Sequence, residues 1–241
     1  MIITNTKTYK DTYKHKGLRI QLVSQLKNRG IIDEKVLNAI SFIPRHWFLD
    51  NAFTEHAYQD KAFDIGQEQT ISQPYMVALQ TQLLKAKPTQ KILEIGTGSA
   101  YQAAVLAYMG AEVYSVEIDP VLHESAKNML KVLDDKLHQG VSFFQKNIKL
   151  FLADGTQGLP DFAPFDGILV TAGAPEMPEP YLMQVLKGGS IIIPIGTAKK
   201  QKINRFTRVD TNEFVREQLE DCSFVPLLGE NGWGKTKQKI D

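Results

Sequence analysis

The chain is predicted to belong to the α/β class, and three observations place it there. From about residue 89 onward, short apolar bursts recur between helical stretches. One of these bursts, Lys91-Ile-Leu-Glu-Ile95, runs directly into Gly96-Thr-Gly98. The hydrophobic share of 43% supports a sizeable core. Strands that alternate with helices fold as a mostly parallel sheet covered on both faces.

Residues 1–88 read as an N-terminal helical extension. Ile20, Leu22, Val23 and Leu26 have helical spacing, and the segment stops at Asn28-Arg29-Gly30. Asp33 is placed as an N-cap before Val36, Leu37 and Ile40, with Pro44 just past the end. A loop around Asp64-Ile65-Gly66 leads to a helix from Pro74 to Leu84, with proline in its first turn and Ser72 at or beside its N-cap. Residues 89–241 form the core, and the two parts are expected to make one compact unit. After the strand at 91–95 come a helix at Tyr101 to Met109, a strand at Glu112 to Glu117 and a helix at about Pro120 to Lys136. Further strands follow at Ile148 to Ala153, Phe165 to Val170 and Ser190 to Pro194. Lys202 to Val209 and Glu213 to Phe224, around Asp210-Thr-Asn212, read as a terminal antiparallel hairpin. The tail Gly234 to Lys239 is expected to be frayed.

Charge and composition exclude several classes of function. Lysine and arginine total 28 against 27 acidic residues, which leaves no global field for nucleic acid or an anionic membrane. The single cysteine, Cys222, rules out an internal disulfide framework and is expected to be a small half-buried strand residue. No apolar run approaches the ~20 residues that cross a bilayer, and the first twenty residues lack a secretory signal. A cytoplasmic location is the expectation. His46, beside Trp47 and Phe48, is expected to pack or face solvent. His15, His56, His123 and His138 show no metal-ligand spacing, and no metal is expected.

The chemistry begins at the glycines. Gly96 and Gly98 let the backbone turn sharply and leave room for a ligand, and the next helix aims its N–H groups there. A dinucleotide loop would carry a third glycine where this chain has Tyr101. Glu117 ends the second strand, 21 residues after Gly96, where a carboxylate can accept hydrogen bonds from both ribose hydroxyls. Asp154-Gly155 and Thr171 close the third and fourth strands. Polar groups at successive carboxyl ends of a Rossmann-like sheet point to a nucleoside ligand. Glu94 interrupts an apolar strand and needs partners; it either braces the loop or faces the ligand's amino-acid end.

These residues resemble the bacterial protein-L-isoaspartate (D-aspartate) O-methyltransferases from about Arg19 to Trp233. The marks are Gln69-Thr-Ile-Ser-Gln-Pro-Tyr75, Leu93-Glu-Ile-Gly-Thr-Gly-Ser99, Asp154-Gly-Thr156, Ala163-Pro-Phe-Asp166, Val170-Thr-Ala172, Leu186-Lys-Gly-Gly189 and Phe224-Val-Pro-Leu-Leu-Gly229. The resemblance implies a Rossmann-like S-adenosylmethionine-dependent methyltransferase fold that leaves S-adenosyl-L-homocysteine as product. The implied reaction methylates the α-carboxylate of L-isoaspartyl residues in proteins and peptides, after which a succinimide forms and opens to aspartate. Ser72 matches the active-site serine. Glu94, Gly96, Gly98, Glu117, Asp154 and Gly155 match cofactor contacts, to which Thr70, Ile71 and Thr171 are added. A monomer is expected. At Ala100 the family commonly has glycine, and little loss is expected from the extra methyl. The run from Leu137 to Gln145 is longer than usual. Rival readings are a methyltransferase for RNA or a small molecule, which should carry an Asn/Asp-Pro-Pro-Tyr/Phe motif where this chain has Thr171-Ala-Gly-Ala-Pro175, and a non-catalytic binding module. Nicotinamide chemistry is disfavoured by Tyr101.

Overall fold

A computed structural model describes residues 7–234, so the expectation of a frayed tail falls largely outside the described residues. The N-terminal part holds α1 (Tyr13–Asn28) and α2 (Glu34–Phe42), then two 3-10 turns, Arg45–Phe48 and Asn51–His56. As expected, Asp33 caps α2, accepting from the Lys35 and Val36 N–H groups. The stretch expected to be a loop at Asp64-Ile65-Gly66 is instead a small antiparallel hairpin, β1 (Phe63–Gly66) and β2 (Gln69–Ile71). Its strands are too short to show an alternating pattern. Gln67 and Glu68 both take positive φ at its tip. The hairpin delivers the chain to α3 (Pro74–Leu84).

The core follows with β3 (Lys91–Ile95), α4 (Tyr101–Tyr108), β4 (Glu112–Glu117), α5 (Pro120–Leu137), a short α6 (Phe144–Asn147) and β5 (Ile148–Leu152). Then come β6 (Phe165–Val170), α7 (Glu179–Gln184), β7 (Val185–Gly196), β8 (Gln201–Asp210) and β9 (Glu213–Cys222). The long run at Leu137 to Gln145 is accounted for by Asp134. Its buried carboxylate accepts from the backbone N–H groups of Phe143, Phe144 and Gln145 at 2.7–3.2 Å and so caps the α6 turn.

The seven strands are ordered β5-β4-β3-β6-β7-β8-β9. The first five are parallel, and β8 and β9 close the sheet as the expected antiparallel hairpin. Side chains alternate between two buried faces. Ile92, Leu169 and Ile192 join the core beneath α1 to α4, while Leu93, Ile168, Ile191 and Ile193 pack with Tyr181 and Leu159 on the other face. Leu22, Leu37 and Met76 belong to the same cluster as Ile92, so the N-terminal helices and the sheet share one core. The strand order reverses between β3 and β6, and open α/β sheets bind ligands at the carboxyl side of that switch point. Ile95-Gly96 and Thr171 stand there.

Candidate active site

A cavity of about 420 Å³ opens at the switch point. Gly96, Gly98, Glu117, Gly155 and Thr171 line it, joined by Thr70 from the end of the β1–β2 hairpin. Its walls include Ile95, Val116, Ile118 and Leu227, an apolar slot with few polar groups, as small-ligand sites require. Gly96 has φ +95°, and a Cβ there would meet the Thr171 hydroxyl at 2.5 Å. The Thr171 hydroxyl in turn donates to the Ile95 and Gly96 carbonyls at 2.9 and 2.7 Å, tying β6 to the glycine turn. A Cβ on Gly155 would meet Ile95 at 2.7 Å.

Glu117 does more than its spacing suggested. Its carboxylate accepts from the Gly98 N–H at 2.8 Å and from the Ile118 and Asp119 N–H groups at 2.9 and 3.0 Å. It therefore holds the glycine loop against β4. The oxygen facing Gly98 keeps acceptor capacity for a ribose hydroxyl.

Three other residues expected at the cofactor do not line the cavity. Ile71 is 3% exposed and packs into the core, because its apolar side chain has a dry face to fill. The Asp154 carboxylate accepts from the Thr156 N–H and hydroxyl at 2.9 and 2.7 Å and from the Glu230 N–H at 2.9 Å. It fixes the Gly155 turn and ties down the segment that supplies Val225 to Leu228. Glu94 points into the helix-covered face, fully buried, where it accepts from the Ser115 hydroxyl at 2.5 Å; Ser115 also bonds the Thr97 hydroxyl at 2.6 Å. Of its two open roles, this geometry favours bracing the loop.

Burial without a cation pushes the Glu94 carboxyl up to about 8, the nearby Glu117 charge adding to the effect. An acid raised in the folded state is protonated in both states below the ordinary carboxylate range. As pH climbs from there to about 8, only the unfolded state ionises, and stability falls by on the order of a few kcal/mol. Glu94→Gln removes that titration and keeps a partner for Ser115. The variant is expected to lose less melting temperature than wild type between pH 5.5 and 8.5, and equal losses would contradict the assignment.

Ala100 corrects an expectation. It adopts φ +67° at the N-cap of α4, the left-handed region that favours glycine, so the extra methyl is not neutral. An L-residue there costs roughly 1–2 kcal/mol, partly offset by glycine's greater unfolded-state entropy. Ala100→Gly is expected to raise stability by about 0.5–1 kcal/mol in denaturant titration; a destabilised variant would sink this reading.

Ser72 sits half-buried between β2 and α3. Gln73, not Ser72, is the N-cap of α3, and it makes no side-chain cap bond. The Ser72 hydroxyl therefore has no capping duty. It lines a second cavity of about 240 Å³ with Met76, Ser223 and Phe224. Thr70, Thr171 and Val225 line both cavities, so the two share a wall. The Phe224-to-Leu228 segment is held there by the Val225 carbonyl accepting from the Gly173 N–H, and by the Leu227 N–H donating to the Gly173 carbonyl, both at 2.8 Å. Proline and apolar residues had marked that segment as a signature, but not as a wall.

His46 packs, one of the two outcomes expected of it, and is 3% exposed. His15, expected to show no metal-ligand spacing, brings its ring to 3.8 Å from that of His46. With Asp11 they place three ligand atoms within 4.8 Å of one another. Both His46 nitrogens are engaged, by the Tyr58 hydroxyl at 2.7 Å and the Lys10 carbonyl at 3.0 Å, and Asp11 is paired bidentately with Arg19. The group is a hydrogen-bonded brace for the N-terminal part. Burial depresses the His46 pKa to about 4, so its ring is neutral at physiological pH.

The sheet order, the glycine turn at the switch point and the acid closing β4 define a Rossmann-like S-adenosylmethionine-dependent methyltransferase. The family model for protein-L-isoaspartate(D-aspartate) O-methyltransferase matches residues 18–232. The chain belongs to this family. A protein-L-isoaspartate O-methyltransferase of Cytophaga hutchinsonii is 50% identical over 95% of this chain and 99% of its own length. That of Christiangramia forsetii is 48% identical, covering 91% of this chain and 98% of its own. Among solved structures, a protein-L-isoaspartate O-methyltransferase aligns with TM-score 0.75 and 31% identity, over 88% of this chain and 66% of the other. A Plasmodium falciparum chain described as such an enzyme, in complex with S-adenosyl-L-homocysteine, aligns with TM-score 0.73 and 26% identity, over 88% of this chain and 97% of the other.

Proposed function

We propose that the chain methylates the α-carboxylate of L-isoaspartyl residues in proteins and peptides, with Ser72 as the residue that positions the substrate. The observation that carries this reading is the shared wall. A cavity built for a nucleoside adjoins a smaller one whose free hydroxyl, Ser72, lies on a pinned turn. S-adenosylmethionine, when bound, supplies a methyl group on a sulfonium; the C–S bond breaks as the carboxylate oxygen forms the new O–C bond. A carboxylate with pKa near ~4 is ionised at neutral pH, so no general base is needed. Among the described residues, no histidine or lysine lines either cavity.

What remains for the protein is alignment. The Ser72 hydroxyl donates to the substrate carboxylate and holds one oxygen in line with the methyl carbon, at a reacting distance of ~3–3.5 Å. Gly96, Gly98 and Gly155 give the cofactor backbone room, Glu117 takes the ribose, and Thr70 and Thr171 mark the passage between the cavities. The working form is inferred to be a cytoplasmic monomer that uses neither nucleic acid nor membrane. No helix among the described residues is long and apolar enough to cross a bilayer.

Repair provides the test. An isoaspartyl peptide incubated with the protein and S-adenosylmethionine is expected to convert, over repeated cycles, to a chromatographically resolved aspartyl peptide. Persistence of the isoaspartyl form, with methyl transfer intact, would overturn the repair reading.

A further inference from the structure

Arg45 opens the first 3-10 turn and is fully buried. Its Nε donates to the Ala57 carbonyl at 3.0 Å, and its Nη2 to the Ser72 carbonyl at 2.8 Å and, more weakly, to the Lys61 carbonyl at 3.5 Å. Nη1 has no hydrogen-bond partner among the described residues. The guanidinium lies 5.0 Å from the centre of the Tyr101 ring. Asp60 adds a favourable charge from nearby, but its own carboxylate is engaged by Arg29 and by the Tyr75 N–H. Burial draws the Arg45 pKa down only to about 10, so it is a cation at neutral pH.

Two features of this arrangement call for a function. Lys61 precedes β1 and Ser72 follows β2, so one side chain grips both ends of the hairpin that feeds Thr70 and Ser72 to the two cavities. A buried cation held mainly by carbonyls is also expensive, because neutral acceptors repay only part of its desolvation. The substrate cavity offers the reason for keeping it. Among the described residues, its only charged lining residue is Asp221, which would repel a carboxylate.

We propose that Arg45 is the positioning residue of the substrate loop, fixing the Ser72 peptide and placing behind it the positive charge that a carboxylate-bearing substrate needs. The Ser72–Gln73 peptide carries the effect: Gln73 lines the cavity, and a cation on the Ser72 carbonyl strengthens the N–H of the same peptide as a donor. The assignment rests on the isoaspartyl reading above, and the test separates the two.

The full chain is compared with Arg45→Met, Arg45→Gln and Arg45→Lys. The readouts are kcat and KM on an isoaspartyl peptide, the Kd of S-adenosyl-L-homocysteine by calorimetry, and thermal unfolding. Arg45→Lys keeps the charge and is expected to lose about tenfold or less in kcat/KM. Arg45→Met is expected to lose about 30-fold or more, with cofactor affinity within about threefold of wild type. Stability is measured beside activity because loss of Arg45 also leaves the Ala57 and Ser72 carbonyls without its donors. A purely structural role would make activity follow stability; a charge-positioning role makes activity follow the charge, with Arg45→Lys ahead of Arg45→Gln even where their melting temperatures match. If Arg45→Met does not fold, Arg45→Gln, a neutral donor, takes its place against Arg45→Lys. Neutral variants as active as Arg45→Lys, or a loss of cofactor affinity equal to the loss of activity, would overturn the role of Arg45. A wild-type chain that labels no isoaspartyl peptide would instead overturn the isoaspartyl reading, and this assignment with it.

Discussion

Ser72→Ala is expected to lower kcat/KM on an isoaspartyl peptide by about two to three orders of magnitude, while the Kd of S-adenosyl-L-homocysteine stays within about twofold. A hydrogen bond to a charged group contributes about 1.5–3 kcal/mol, and misplacing a reacting oxygen by an ångström can cost a further ~10²-fold. These effects fall on the substrate alone, because Ser72 lines the smaller cavity and not the larger one. Folding should be little affected, since the N-cap of α3 is Gln73 and the helix itself begins at Pro74. Paired initial-rate kinetics and calorimetry check the result. A loss under about fivefold would remove Ser72 from its proposed role, whatever the substrate proves to be.

Glu117→Ala is expected to act on the other cavity and to weaken S-adenosylmethionine binding by about 10³-fold or more. One ribose hydrogen bond to the acceptor site left on the carboxylate, at about 1.5–3 kcal/mol, accounts for part of that figure. The rest comes from the protein itself. Without the carboxylate, the Gly98, Ile118 and Asp119 N–H groups lose their acceptor, and the glycine loop loses its tie to β4. Glu117→Gln separates the contributions: an amide can still accept from Gly98 but offers one oxygen where three N–H groups converge. It should fall between wild type and Glu117→Ala in calorimetric titration. A Glu117→Ala variant that binds within tenfold of wild type would show that the ribose is held elsewhere.

Much of this molecule was legible in its sequence, and the exceptions have physical reasons. The parallel strands were readable because most carry apolar runs buried on both faces, as at Ile191 to Ile193. The glycine turn was readable because Gly96 stands where no Cβ fits and Gly98 takes a left-handed φ of +51°. The β1–β2 hairpin was not, since strands of four and three residues carry no period. Asp154 and Glu94 show a different limit. An acid at a strand end or within a strand announces that it needs partners, but only the fold shows that Asp154 finds them in Thr156 and Glu230, and Glu94 in Ser115. The approach of His15 to His46 and the grip of Arg45 on Ser72 join residues 31 and 27 positions apart in segments without regular pattern. Ala100 was misjudged for a third reason. Its helix propensity was the wrong quantity, because the N-cap of α4 requires a left-handed residue. The substrate itself was legible only through resemblance, as neither cavity contains a group that names an isoaspartyl chain by its own chemistry.

Transfer of tritiated methyl from S-adenosylmethionine to two peptides that differ only in an isoaspartyl or an aspartyl linkage addresses the central claim most directly. Base-labile label on the isoaspartyl peptide alone, lost in Ser72→Ala, is the result expected of a carboxyl methyltransferase aligned by that serine. Equal labelling of both peptides, or base-stable label on either, would contradict it.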